Sequence, residues 1–136
     1  MQDPYSSDNE RLIIALLNDN NIDAQKLIDS GRIEPEILFR LADRHMVSAL
    51  VFDRISNLQM KGAMAEFFSM DDGRTVRTTV AVNMRLRVEM KLVAEILRND
   101  RINFLLIKGF AIDKSHLRRM NDIDILIDGK HLYFCI

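Results

Sequence analysis

The sequence predicts an α+β fold, with a mainly helical region to about residue 98 followed by the beginning of a mixed sheet. Three observations lead there. Apolar residues recur at three- and four-residue spacing through the first 98 positions, which is the period of amphipathic helices. Glycine and Asn/Asp clusters break these runs at intervals that suit helix ends. Past Asp100 the pattern changes to two short apolar runs with β-branched content, each closed by a glycine, as strands are.

Taken in order, residues 1–10 are polar and acidic and read as a flexible tail. Ser7 or Asp8 can cap a helix through residues 11–17, because a short side-chain oxygen accepts from an otherwise orphaned N–H of the first turn. Asn18, Asp19, Asn20 and Asn21 break it. A helix over 23–30 should stop at Gly31, a residue that takes the left-handed C-terminal conformation without penalty. Pro35 opens the next, since proline is tolerated in a first turn. Ile37, Leu38, Leu41 and Ala42 continue it, and Val47, Leu50, Val51 and Ile55 define another, with His45 at the junction. Gly62 and the Asp71, Asp72, Gly73 cluster bracket a segment rich in Met and Phe.

After Gly73 comes the longest periodic stretch. Val76, Val80, Met84, Val88, Leu92 and Ile96 recur every fourth residue, joined by Ala81, Val93 and Leu97. They predict a helix of roughly 25 residues, about 37 Å long, with one buried stripe. Asn99 and Asp100 end it. The helical region therefore spans residues 11–98, and 99–136 form a second part. There, residues 102–107 read as a buried strand ended by Lys108 and Gly109. Residues 122–127 read as a second strand, antiparallel to the first or close beside it.

Composition bounds the function. The 136 residues are 48 % hydrophobic and 29 % charged, enough apolar material for a core. Residues 1–73 hold 7 Lys/Arg against 13 Asp/Glu, whereas residues 74–119 hold 11 against 4. A basic segment leading into carboxylates suits an anionic substrate held with a divalent cation; solvated helix faces explain the same charges equally well. Cys135 is the only cysteine, which excludes a disulfide framework and any CxxC metal site. The longest apolar run of the helical region, residues 12–17, is too short to span a bilayer, so no membrane partner is expected and the chain reads as cytoplasmic.

Asp122 and Asp124 carry the chemistry. Side chains at i and i+2 of a strand share a face, here about 7 Å apart along the backbone, while Ile123 and Ile125 point to the other. Two like charges so close are unfavourable unless a cation sits between them or one is protonated. Oxygen-only ligands suit Mg²⁺ or Mn²⁺, ions that clamp a triphosphate, activate a hydroxyl and stabilise a leaving pyrophosphate. Gly109, at the end of the first strand, leaves backbone N–H groups open to phosphate, and Lys108 beside it can add a point charge.

These residues form a recognisable set. Leu106, Ile107, Lys108 and Gly109, then twelve residues, then Asp122, Ile123, Asp124 and Ile125, resemble the signature of the nucleotidyltransferase superfamily that includes DNA polymerase beta. The closer resemblance is to an uncharacterised nucleotidyltransferase family with a Leu-Lys-Gly motif, an arginine shortly before the acid pair (here Arg118) and an Asp-Ile-Asp strand. Ala42, His45 and Val47, and the long helix over 74–98, are similar to its helical part. The resemblance runs over roughly residues 36–127. It implies transfer of a nucleotidyl group from an NTP to an unidentified acceptor hydroxyl, with Asp122 and Asp124 as catalytic metal ligands and Gly109, Lys108 and Arg118 as nucleotide-binding residues. It also makes residues 99–136 the N-terminal part of a catalytic module.

The chain departs from the pattern in two places. Phe110 stands where the wider superfamily has a small Gly or Ser. No acidic residue follows Asp128, which reads as a turn residue before Gly129, although the superfamily uses a third carboxylate on a later strand. The expectation is thus a truncated, incomplete catalyst. The alternative is an inert remnant whose helical region serves as a protein-interaction module.

Other constellations are weaker. Gly109 to Ser115 has Asp113, not glycine, before Lys114, so it is no phosphate-binding P-loop. His45, His116 and His131 are too far apart in sequence to form a ligand pair at helical spacing. Met60, Met64, Phe67, Phe68 and Met70 read as core, with a protein-binding groove as the other option. Aromatic residues do not interleave with the basic ones of 74–119, so a single-stranded nucleic-acid track finds little support.

Overall fold

The computed structural model describes residues 7–107 and 117–130. Six helices are found among them: α1 (Asp8–Leu17), α2 (Asn21–Asp29), α3 (Pro35–Arg44), α4 (Ser48–Ile55), α5 (Gly62–Asp71) and α6 (Arg74–Asn99). Two strands follow, β1 (Phe104–Leu106) and β2 (Ile125–Ile127), paired antiparallel with Phe104 opposite Ile127 and Leu106 opposite Ile125. The α+β class is therefore correct, and the strand direction is one of the two arrangements expected. No helix among the described residues is long and apolar enough to cross a membrane.

Local chemistry explains the helix ends. Ser7 accepts from the Glu10 N–H while the Glu10 carboxylate accepts from the Ser7 N–H, a reciprocal capping box. That box starts α1 at Asp8, three residues inside the stretch read as a flexible tail. Asn20 caps α2 by accepting from the Asp23 N–H. Gly31 lies past its end at φ +71°, a conformation that costs a side-chain-bearing residue about 1 kcal/mol or more. Pro35 occupies the first turn of α3 and His45 its C-cap, the helix-end place expected for that histidine.

The chain divides into two compact units, Met1–Thr78 and Thr79–Ile136. In the first, Leu12 and Leu16 of α1, Leu38 of α3 and Val51 and Ile55 of α4 are fully buried and form one core with Ala24, Leu27 and Ile28 of α2. The Met- and Phe-rich helix α5 completes it. Met64 and Phe68 are buried and Phe67 is packed at the edge, as a core assignment requires, whereas Met70 is exposed. Phe39, Phe52, Phe67 and Phe68 make a chain of edge and tilted ring contacts, the closest being Phe52–Phe68 at 4.4 Å between centroids.

Helix α6, whose residues 74–78 belong to the first unit and the rest to the second, departs from expectation. It has the predicted extent, but the six residues of the i+4 series do not share one buried stripe. Val76 and Val80 are half-buried, while Met84, Val88, Leu92 and Ile96 are 55–63 % exposed. The buried positions are Thr79, Asn83, Ala94 and Leu97. The reason is geometric: at 3.6 residues per turn each four-residue step advances about 40°, so the row drifts about 200° around the helix between Val76 and Ile96. A series of strict i+4 steps cannot stay on one face for 20 residues.

Candidate functional site

The acid pair is positioned by three successive anchors in the second unit. The first closes α6. Asp100 N–H bonds to the Ile96 carbonyl, Arg101 takes a left-handed conformation at φ +57°, and Ile102 N–H returns to the Leu97 carbonyl at 2.8 Å. Ile102 is buried and the Arg98 guanidinium lies 5.8 Å from the Phe104 ring centroid, which sets the start of β1 against the end of its own helix.

The second anchor is Asn83, buried in the middle of α6. Its Nδ2 donates to the Arg118 carbonyl at 2.9 Å and its Oδ1 accepts from the Met120 N–H at 3.1 Å. One side-chain amide thus brackets the backbone two residues apart, and the buried Met120 side chain pins the same segment. This clamp fixes the approach to Asp122. Sequence reasoning did not find it, because an isolated Asn among aliphatic residues carries no motif. The signal available was that Asn is a poor interior helix residue, placed here in the middle of a 26-residue helix.

The third anchor is the strand pair itself. Beyond the register of β1 and β2, Ile107 N–H donates to the Asp124 carbonyl at 3.1 Å, so the ladder reaches one residue further than either strand. Asp124 is half-buried, with its Oδ2 closed off from solvent. Asp122 is exposed, and Ile123 between them is half-buried. Regular strand geometry begins only at Ile125, so the run 122–127 read as strand is shorter than expected, as is 102–107. Arg118 is exposed in side chain while its backbone is held by Asn83. Asp128 accepts from the Lys130 N–H at 3.3 Å through Oδ1, the turn role expected of it.

Of the sequence-derived site residues, the structure places Asp122, Asp124 and Arg118 on the segment that enters β2. Lys108 and Gly109 follow Ile107 directly in the chain and lie outside the described residues, as do Phe110, His116 and His131. Among the described residues no group of three His, Cys, Asp or Glu side chains forms a metal cage.

A long helix, an Asn-clamped arginine segment and an acid pair at the mouth of an antiparallel strand pair form the frame on which the sequence signature sits. The model of the uncharacterised nucleotidyltransferase family matches residues 31–134. The chain belongs to that family. The match takes in α3 to β2, with Lys108, Gly109, Arg118, Asp122 and Asp124 all inside it, and extends the region of likeness beyond residues 36–127 at both ends. Family membership ties the chain to nucleotidyl transfer in general terms. No match was found among curated proteins or among solved structures.

Proposed function

We propose that this chain binds an NTP with a divalent cation at the entrance to β2 and belongs to a metal-dependent transfer of a nucleotidyl group to an acceptor hydroxyl. The observation that supports it most directly is the bond from Ile107 N–H to the Asp124 carbonyl, which sets Asp124 beside the residue that precedes Lys108 and Gly109 in the chain. Two carboxylates, one solvent-facing and one half-buried, are an oxygen-only donor set of the kind that holds Mg²⁺ or Mn²⁺, with substrate phosphates and water completing the shell. Bound there, such an ion supplies charge neutralisation for the triphosphate. Arg118 presents a guanidinium on the same segment, suited to a phosphate in bidentate fashion. By the family signature Lys108 would add a cation and Gly109 would admit the phosphates, both residues lying outside the described ones. Placement in the cytoplasm, where NTP and Mg²⁺ are available, fits the single cysteine.

Cation-dependent binding of NTP is the property that tests the acid pair directly. In titration calorimetry, NTP should give heat only with Mg²⁺ present, and the Asp122→Asn, Asp124→Asn double variant should lose it. Equal heat in both forms would remove the acid pair from the site. A second reading, an inert remnant acting as a helical interaction module, draws on the exposed apolar residues of α6. It predicts no Mg²⁺-dependent heat in either form.

A further inference from the structure

Residues 117–124 carry no helix or strand of their own, so their backbone groups look elsewhere for partners. Asn83, 1 % exposed in the middle of α6, answers two of them, the Arg118 carbonyl and the Met120 N–H. Met120 is buried, whereas Arg118, Arg119, Asn121 and Asp122 around it are exposed. Slippage of the segment by one or two residues would put a charged or polar side chain in the buried place, which is unfavourable. The amide and the methionine together therefore hold a single register. Downstream, the Asp124 carbonyl accepts from the Ile107 N–H. Asp122 stands between these two fixed points, two residues from each, or about 7 Å of extended chain.

Taking the acid pair as the cation site proposed above, we infer that Asn83 is a positioning residue for it. Asp124 has its own ladder bond, and the clamp sets where Asp122 stands beside it. Two carboxylates share one divalent ion only when an oxygen of each lies roughly 2 Å from the same point. Freeing the chain just before Asp122 takes its carboxylate out of that shell for part of the time, and the ion is held less tightly. Asn83 acts on cation binding through the backbone of 118–120. Residues that orient metal ligands from behind in this way carry ~10–100-fold in metal affinity. The role is separable from stability, because other buried side chains of α6, such as Leu97, support the fold without bonding to this segment.

Water-proton relaxation reads the affinity of the whole chain for Mn²⁺·ATP, with GTP, CTP and UTP tried in turn, at a temperature where circular dichroism shows each variant folded. Asn83→Leu keeps the branching of the side chain and removes both bonds, and should weaken binding ~10-fold or more. Asn83→Ser has a hydroxyl too short to serve both partners; it should weaken binding as well, and stands in if the leucine variant does not fold. Leu97→Ala is the control. It empties a buried position on the same helix and destabilises the chain, yet leaves both clamp bonds in place and should bind within ~2-fold of the parent. Asn83 variants that bind as the parent does would overturn the inference and leave the nucleotide site standing. So would a loss in Leu97→Ala as large as theirs, which would reduce Asn83 to a packing residue. A parent chain that gives no relaxation enhancement with any of the four nucleotides would remove the cation site itself, and the role of Asn83 with it.

Discussion

Side-chain amides close this fold where the backbone leaves its helices. Asn9 accepts from the Glu34 N–H, Gln25 exchanges two bonds with the Gln59 backbone, and Asn83 brackets Arg118 and Met120. An amide suits the task because it carries both donor and acceptor, so one residue satisfies a C=O and an N–H of the same strand-like segment. Removing the Asn83 side chain leaves the Met120 N–H, in a buried setting, without its acceptor. Asn83→Ala should therefore cost about 2 kcal/mol in urea unfolding, and amide exchange at Met120 should accelerate more than at Leu27 in the other unit. If the clamp also sets the approach to the acid pair, Mg²⁺-dependent NTP heat should weaken in this variant while the fold persists at low temperature. At the same scale Ser7→Ala should cost about 1 kcal/mol by removing the α1 cap, measured as a lowered thermal midpoint. The capping residue was legible in sequence, since Ser7 with Glu10 three positions on is a local pattern. Asn83 was not, because its partners lie 35 and 37 residues away.

Among the elements, α6 is the instructive case. Its length was readable from its periodicity and its end from Asn99 and Asp100, yet its facing was not. The aliphatic row drew attention to Met84, Val88, Leu92 and Ile96, with Leu97 joined to them; of these only Leu97 is on the packed side, which Thr79, Asn83 and Ala94 complete. A paired substitution separates the two readings. Leu97→Ala should cost about 2–5 kcal/mol, the range for truncating a buried leucine. Leu92→Ala should fall within about 0.5 kcal/mol of the parent, because that side chain is exposed. Chemical denaturation of both variants checks the order. The strands show the same division between the legible and the illegible. Their existence followed from composition, but each is three residues long, because pairing ends where the partner segment turns away. Leu105 and Leu126, opposite each other in register, are both exposed, so one of the three apolar residues in each strand faces outward.

For the molecule as a whole, two compact units imply two sets of consequences. Phe52 sits at the centre of the aromatic cluster of the first, touching Phe39 and Phe68. Phe52→Ala should cost about 3–5 kcal/mol, and hydrogen exchange should show the loss in α1, α3 and α4, with β1 and β2 affected less. The core of this unit was legible because it is built from short helices, in which an amphipathic face stays in phase from end to end.

What the sequence determined unaided was the class of fold, the order and approximate limits of the elements, the acid pair and the family signature. All of these depend on residues near one another in the chain: caps, periodicity, spacing. Only the tertiary structure decided which side of α6 is covered, that Asn83 holds the segment before Asp122, and that the ladder reaches Asp124 through Ile107. Those outcomes depend on groups more than a dozen residues apart. Burial and buried hydrogen bonding are settled by where the whole chain comes to rest, not by the local pattern of any one stretch.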